Sequence, residues 1–463
     1  MEIFALNSLW LLPIIMTFFT PLLSRTALIG VALLQGLLHI GAWAWLVLRW
    51  YGQVLRWNLP WFQMGGYTFH YALVLHPGNL WLLFLTIVIG YSALLYALTY
   101  IEEPAQFTVF MGLTLGFSQG LFLADDVMLF FVFYEASLIP AFLLIYGWGG
   151  AHRRSAAIQF ALFTLSGSVF LLVGLLWGMK EMGSSLKEGW HIARLPLGAW
   201  WLMSIGLAVK LPLLPLHSWL GEAHVEADSA VSMVLAGLLL KLGGYGLLYW
   251  VWDGIPSAQA ISLRIWGMLT LFYAVAVAAG QTDLKRMIAF TSIAHMAFVP
   301  LGAGSESSLG KWGAYHQLFT HGVVSAGLFA WIGLVEKSTS YRSLRQLSGF
   351  LQRSRGWTLP TLFLFASAIG VPGMSLFISE MLVIGGTASG AGWLWALVPA
   401  SSLLLTGAYF LRALRELFTS ENQSFPAPII DTKWFILWLL IFISGIAGVY
   451  PGPWLEVWGY GRN

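Results

Sequence analysis

Apolar stretches of about twenty residues recur from one end of this sequence to the other, and no long polar segment separates them. A bilayer core roughly 30 Å thick requires about that many residues of helix. Composition agrees: hydrophobic residues make up 58% of the 463 and charged residues only 9%, with a mean hydropathy of +0.77. A soluble domain carries roughly a quarter charged residues. The stretches are too long for transmembrane strands, which alternate over about ten residues. Backbone groups in lipid must be satisfied within their own segment, and helices do this. The expected fold class is therefore all-α integral membrane.

Fourteen spans are expected, at roughly 3–22, 27–49, 79–100, 107–123, 127–147, 155–178, 199–220, 229–252, 259–279, 285–303, 312–335, 357–386, 391–418 and 433–451. An even number places both termini on one side. Thirteen Lys and Arg, among them Arg153, Arg154, Lys285, Arg342 and Arg412, fall in loops on the opposite side. Eight, among them Arg49, Arg56, Lys187 and Arg462, fall on the side of the termini. The positive-inside rule then puts both termini outside the cytoplasm. The segment from Met1 to Trp10 has no basic stretch of the signal-peptide type. The chain has no cysteine, which excludes disulfides, thiolate-ligated iron–sulfur clusters and cysteine nucleophiles. A net charge of +3 gives no reason to expect nucleic acid.

Two spans cannot be plain helices. The seventh contains Lys210-Leu-Pro-Leu-Leu-Pro-Leu-His217, and the twelfth contains Ile369-Gly-Val-Pro-Gly373. Pro212, Pro215 and Pro372 have no N–H, so the carbonyls of Ala208, Leu211 and Ala368 lose their helical partners. Such breaks persist at membrane depth only where protein groups or water fill the gap. The two breaks lie five spans apart, as in an internal repeat that carries an ion path. Ordinary proline kinks are the plainer alternative.

Four ionisable residues lie deep within apolar segments: Glu135 in span five, Lys210 beside the span-seven break, Lys241 in the middle of span eight, and Glu380 just after the span-twelve break. A charge at the bilayer centre costs roughly 2.5–3.5 kcal/mol even on lenient scales, and such residues usually mark a functional path. Burial disfavours the charged form of any such group, and a nearby opposite charge favours it. A lysine whose partner carboxylate can approach or withdraw therefore has a switchable proton affinity. Glu135 with Lys210 is the expected pair, with Lys241 and Glu380 as onward carriers. Purely structural ion pairing is the competing explanation.

His295 and His321, in spans ten and eleven, and His217, after the span-seven break, are candidate relays, because histidine titrates near neutral pH. Glu222, His224, Glu226 and Asp228 have spacing that suggests a metal site, but a solvated loop rim is the expectation, with no metal. There is no phosphate-binding loop and no haem-attachment motif. Neither ATP hydrolysis nor electron transfer is expected of this chain, so its driving energy must come from a partner or an ion gradient.

Several long motifs resemble one family. Val209-Lys-Leu-Pro-Leu-Leu-Pro-Leu-His-Ser-Trp-Leu-Gly-Glu-Ala-His224 and Ala236-Gly-Leu-Leu-Leu-Lys-Leu-Gly-Gly-Tyr-Gly-Leu-Leu248 resemble spans seven and eight of the antiporter-like subunits of complex I. Thr282-Asp-Leu-Lys-Arg-Met-Ile-Ala-Phe-Thr-Ser-Ile-Ala-His-Met296 and His321-Gly-Val-Val-Ser-Ala-Gly-Leu-Phe329 resemble spans ten and eleven. The resemblance covers roughly residues 80–420. Glu380, where the largest such subunit has Lys, resembles subunit M, or chain 4. The usual Pro-Asp after Trp219-Leu220 is replaced by Gly221-Glu222, a departure in loop geometry that leaves the charged positions untouched.

The resemblance implies fourteen helices with two inverted five-helix repeats and discontinuous helices seven and twelve. It implies an N-terminal segment 1–106, repeats at 107–252 and 253–420, and a final segment 421–463. It implies proton transfer through Glu135, Lys210, Lys241 and Glu380, with His295 and His321 on a hydrated axis. It implies a membrane-arm subunit of NADH:quinone oxidoreductase that adjoins other antiporter-like subunits in a bacterial inner membrane. FMN, iron–sulfur clusters and quinone would then reside in partner subunits, with none in this chain. Multi-subunit sodium/proton antiporters, membrane-bound hydrogenases and photosynthetic complex I share this subunit type.

Overall fold

A computed structural model describes residues 2–49, 54–252, 254–419 and 425–457. Arg462 and the rest of the C-terminal end lie outside the described residues. Among those described, twelve helices are long and apolar enough to cross a membrane. The two remaining expected spans are each in two pieces. Span seven is Leu197–Lys210 followed by Ser218–Glu226, and span twelve is Thr358–Ile369 followed by Ser375–Gly390. Both breaks fall at the prolines that forbid a continuous ladder.

Spans five and ten carry slighter interruptions that the sequence reading did not anticipate. Val127–Ala136 and Leu138–Trp148 meet at Ser137, and Leu284–Met296 and Phe298–Ala303 meet at Ala297. A proline follows each interruption by three residues, Pro140 and Pro300. Glu135 and His295 occupy equivalent places, each five residues before its proline.

One element departs from the all-α expectation. Strands β1 (Leu55–Met64) and β2 (Tyr67–Leu75) form an antiparallel hairpin outside the membrane helices. Gly65 and Gly66, with φ of 61° and 82°, supply the two left-handed residues that a tight hairpin turn demands. The Gly-Gly pair flanked by aromatic and β-branched residues was the available signal. Asp125 N–H donates to the Ala72 carbonyl at 3.0 Å, and His70 N–H to Asp126 Oδ2 at 3.0 Å, which pins the hairpin to the start of span five.

The chain forms two compact units, one of Met1–Leu211 with Leu238–Pro256, the other of Pro212–Gly237 with Ser257–Asn463. In the first, Arg153–Met182 packs on Leu197–Lys210 at backbone contact: a Cβ on Gly206 would lie 2.6 Å from the Gly167 carbonyl. Small residues let membrane helices approach this closely. In the second, Ser308–Thr339 is the central helix and its apolar window is wholly buried. Outer helices turn Leu37, Leu48, Leu162 and Val169 outward, an apolar surface suited to lipid.

The same device opens span five in one unit and span ten in the other. Val127 N–H donates to Ser185 and Lys187 N–H to Asp125 at 2.9 and 3.0 Å; Leu284 N–H donates to Arg342 and Leu344 N–H to Thr282, both at 2.9 Å. Asp126 and Asp283 cap the two helices that follow. The residue separations across the two bridges are identical, as two repeats of one architecture require.

Candidate functional site

Lys210 is the last residue of the first half of span seven and is 3% exposed. Its Nζ donates to the Tyr134 carbonyl at 2.7 Å and to Ser137 Oγ at 3.0 Å, and lies 3.6 Å from the centre of the Tyr134 ring. Both acceptors belong to the interruption of span five, so the buried Lys210 amine fills the gap in a neighbouring helix. In its charged form it gains further electrostatic stabilisation from the aromatic face. Glu135 lies between these two residues in sequence. Its Oε1 is buried without a hydrogen-bond partner, and no Glu135–Lys210 ion pair forms within 4.0 Å among the described residues. The expected pair is thus adjacent but not closed: the hydrogen bonds of Lys210 go to the residues flanking Glu135.

Lys241 is fully buried at the centre of span eight. Two residues on, the backbone of Gly243 abuts the end of the first half of span seven, where a Cβ would lie 2.6 Å from Leu211 N and 3.0 Å from Lys210 Cβ. The glycine after Lys241 therefore sets how closely these two lysine-bearing helices pass.

In the second unit, the break of span twelve gathers three of the predicted residues. His295 Nε2 donates to the Ala368 carbonyl at 3.1 Å, the carbonyl that Pro372 deprives of a helical donor. Glu380 Oε1 lies 3.7 Å from the same nitrogen. The Glu380 carboxylate also occupies the space that a Cβ on Gly370 would need, and Gly370 has φ of +75°. Neither carboxylate oxygen of Glu380 has a hydrogen-bond partner within 3.5 Å among the described residues, although the residue is only 1% exposed. The His321 ring lies edge-on to His295 with centroids 5.5 Å apart.

Three residues that the sequence reading missed complete this cluster. Gln317 Nε2 donates to the His295 carbonyl at 3.0 Å, and Gln317 Oε1 accepts from Ser379 Oγ at 2.5 Å. Ser379 also lies 3.0 Å from Thr320 Oγ1. A polar residue one turn before His321 and another beside Glu380 were the signals available in the sequence. This buried network ties the His295 backbone to Ser379, the residue before Glu380, and none of its bonds goes to the Glu380 carboxyl group.

His217 is the cap residue of Ser218–Glu226 and packs edge-on against Tyr273 at 4.8 Å. Two expectations need correction. The segment holding Glu222, His224 and Glu226 is a helix rather than a loop rim. His224 is buried and stacks on Phe329 at 4.5 Å, whereas Glu222 pairs with Arg286 and Asp228 caps Ala230. Lys285, counted among loop charges, is buried and donates to the Val225 and Ala227 carbonyls at 3.3 and 2.8 Å, closing the end of that helix.

Comparison with known proteins agrees with this architecture. Residues 124–406 match the family described as NADH:quinone oxidoreductase/Mrp antiporter, TM. NAD(P)H-quinone oxidoreductase chain 4 1 of Synechococcus sp. (strain JA-2-3B'a(2-13)) is 35% identical over 436 residues, covering 89% of this chain and 82% of that one. The chloroplastic chain 4 of Physcomitrium patens is 35% identical, covering 84% and 82%. A chain of respiratory complex I from Thermus thermophilus superposes with a TM-score of 0.86 at 27% identity, over 98% and 97% of the two chains. A chain of the Mrp complex from Dietzia sp. DQ12-45-1b shares the fold, with a TM-score of 0.87 at 20% identity over 99% and 98%. The chain belongs to the NADH:quinone oxidoreductase/Mrp antiporter family of transmembrane proteins.

Proposed function

We propose that this chain is a proton-translocating membrane-arm subunit of an NADH:quinone oxidoreductase, in which quinone reduction elsewhere drives proton transfer through Glu135, Lys210, Lys241 and Glu380. The carrying observation is that buried ionisable groups sit at helix breaks. Lys210 fills the gap in span five, and Glu380, without a hydrogen-bond partner, faces His295 at the break of span twelve. A group held at a break can change partners with a small backbone movement. His295 and His321 are the relays of the second unit, and His217 a further relay near the span-seven break.

The two repeats are residues 107–252 and 253–420, flanked by 1–106 and 421–463. The partners are neighbouring antiporter-like subunits, while FMN, iron–sulfur clusters and quinone belong to other subunits of the assembly. The membrane is a bacterial inner membrane, with both termini on its non-cytoplasmic side, as the distribution of Lys and Arg supports.

The test is Lys210→Ala in the assembled complex, reading protons pumped per electron in vesicles. Pumping is expected to fall severalfold or more; undiminished pumping would sink the role assigned to Lys210. A second reading, a subunit of a sodium/proton antiporter complex, draws on the shared fold of the Mrp chain. It is favoured if a sodium gradient, rather than quinone reduction, drives proton flux.

A further inference from the structure

Span eight presents Lys241, Tyr245 and Tyr249 at successive four-residue steps, so the three share one face of the helix. The two tyrosine rings stack with centroids 5.3 Å apart and planes 9° apart, which fixes that face in the structure. His76, at the foot of the hairpin, covers both rings, at 5.9 Å from Tyr245 and 4.9 Å from Tyr249. Its Nε2 lies 3.0 Å from Tyr245 Oη, and Tyr245 Oη donates onward to the Phe122 carbonyl at 2.9 Å. The other nitrogen, Nδ1, accepts from Gly78 N–H at 3.1 Å. An acceptor carries no proton, so the neutral ring has its proton on Nε2, directed at the tyrosine. His76 is half-buried, whereas Tyr245 is fully buried.

A second polar arm runs alongside. Tyr249 Oη donates to Asp125 Oδ1, and Asp125, 3% exposed, is held by Arg56 Nε at 3.1 Å. Arg56 in turn reaches Glu188 at 3.3 Å, and both of those side chains are largely exposed. The ionisable groups along this face thus grade from a fully buried lysine one turn before Tyr245 to Lys187 Nζ, 5.9 Å from the centre of the Tyr249 ring, and a solvated ion pair on the hairpin side. Packing alone would be served by apolar rings. Here each buried hydroxyl and ring nitrogen has a defined donor or acceptor.

We propose that Tyr245 and His76 form a proton-conducting branch between Lys241 and water on the hairpin side of the first unit, with Tyr249, Asp125 and Arg56 holding the His76 ring in place. The inference rests on the reading of Lys241 as a proton carrier. For a neutral Lys241 amine the steps balance: the bond from Gly78 N–H opens, His76 Nδ1 takes a proton from hydronium, leaving water, and Nε2 gives its proton to Tyr245 Oη. The hydroxyl proton of Tyr245 turns from the Phe122 carbonyl to Lys241 Nζ, and a turn of the imidazole that returns its remaining proton to the Tyr245 side resets His76. Run backwards, the same steps release a proton from the Lys241 ammonium to water.

The experiment measures protons pumped per electron in vesicles containing the assembled complex with Tyr245→Phe, His76→Asn, His76→Ala or Lys241→Ala. Tyr245→Phe removes only the hydroxyl, and His76→Asn keeps an acceptor for Gly78 N–H. Both are expected to lower pumping at least threefold with quinone reduction and subunit content retained. Added imidazole is expected to restore pumping in His76→Ala in a concentration-dependent way, whereas pyrrole, which fills the same space without an acceptor nitrogen, is not. Full pumping in Tyr245→Phe and His76→Asn beside loss in Lys241→Ala overturns the branch and leaves the Lys241 reading standing. Full pumping in Lys241→Ala overturns both.

Discussion

His295 Nε2 donates to the Ala368 carbonyl at 3.1 Å while lying 3.7 Å from Glu380 Oε1. One ring nitrogen therefore closes the break of span twelve and faces the carboxylate that follows it. A structural role and the proposed proton-carrying role meet in a single N–H, and substitutions can separate them.

His295→Ala orphans a buried carbonyl, a loss of about 1–3 kcal/mol. The thermal midpoint of the solubilised complex is expected to fall. His295→Gln, whose amide can reach the same carbonyl, is expected to recover part of the midpoint but not the pumping. Equal recovery of both would assign His295 to structure alone.

Glu380→Gln keeps the shape of a side chain that has no hydrogen-bond partner within 3.5 Å. Gln is neutral at every pH and so never carries the cost of ionising in this apolar site. The midpoint is expected to hold or rise while proton transfer, measured by a pH-sensitive dye in vesicles, drops about tenfold or more. Unchanged transfer would show that the carboxylate is not a carrier.

Gly370→Ala places a methyl group where the Glu380 carboxylate lies, at a φ of +75° that L-residues seldom adopt. Strain of this kind costs on the order of 1–3 kcal/mol. The variant is expected to lose both stability and pumping, whereas Gly280→Ala, whose Cβ meets nothing within 4 Å, is expected to lose neither. Thermal unfolding and pumping measured together read both effects.

Glu306 lies between spans ten and eleven. A hydrogen bond from Ser257 and then one from Arg264 hold its carboxyl below the ordinary glutamate value of 4.5. A lowered carboxyl pKa means that the stabilising contribution is present above 4.5 and is lost as pH falls below it. The loop between spans ten and eleven is expected to open in acid, with faster proteolysis of the folded complex below that pH. Glu306→Gln is expected to abolish the pH step. A step of the same size in the variant would assign it to another group.

The sequence itself carried the membrane fold, the breaks and the charged positions, because each follows from local chemistry. A twenty-residue apolar run must be helical in lipid, a proline must interrupt its ladder, and a charge in such a run is conspicuous at once. The hairpin was legible in the Gly65-Gly66 pair but was masked by the strength of the helical signal around it. Interaction partners were not legible. Lys210 looked like the partner of Glu135, yet its hydrogen bonds are to Tyr134 and Ser137. Lys285 looked like a loop charge, yet it closes the end of a helix sixty residues away in sequence. Gln317, Ser379 and His76 look unremarkable along the chain and acquire a role only beside His295, Glu380 and Tyr245. Periodicity and proline chemistry act within a few residues, so the sequence alone determined where the chain spans and where it breaks. A hydrogen bond depends on which helices meet and at what rotation, so only the tertiary structure decided which group fills each break.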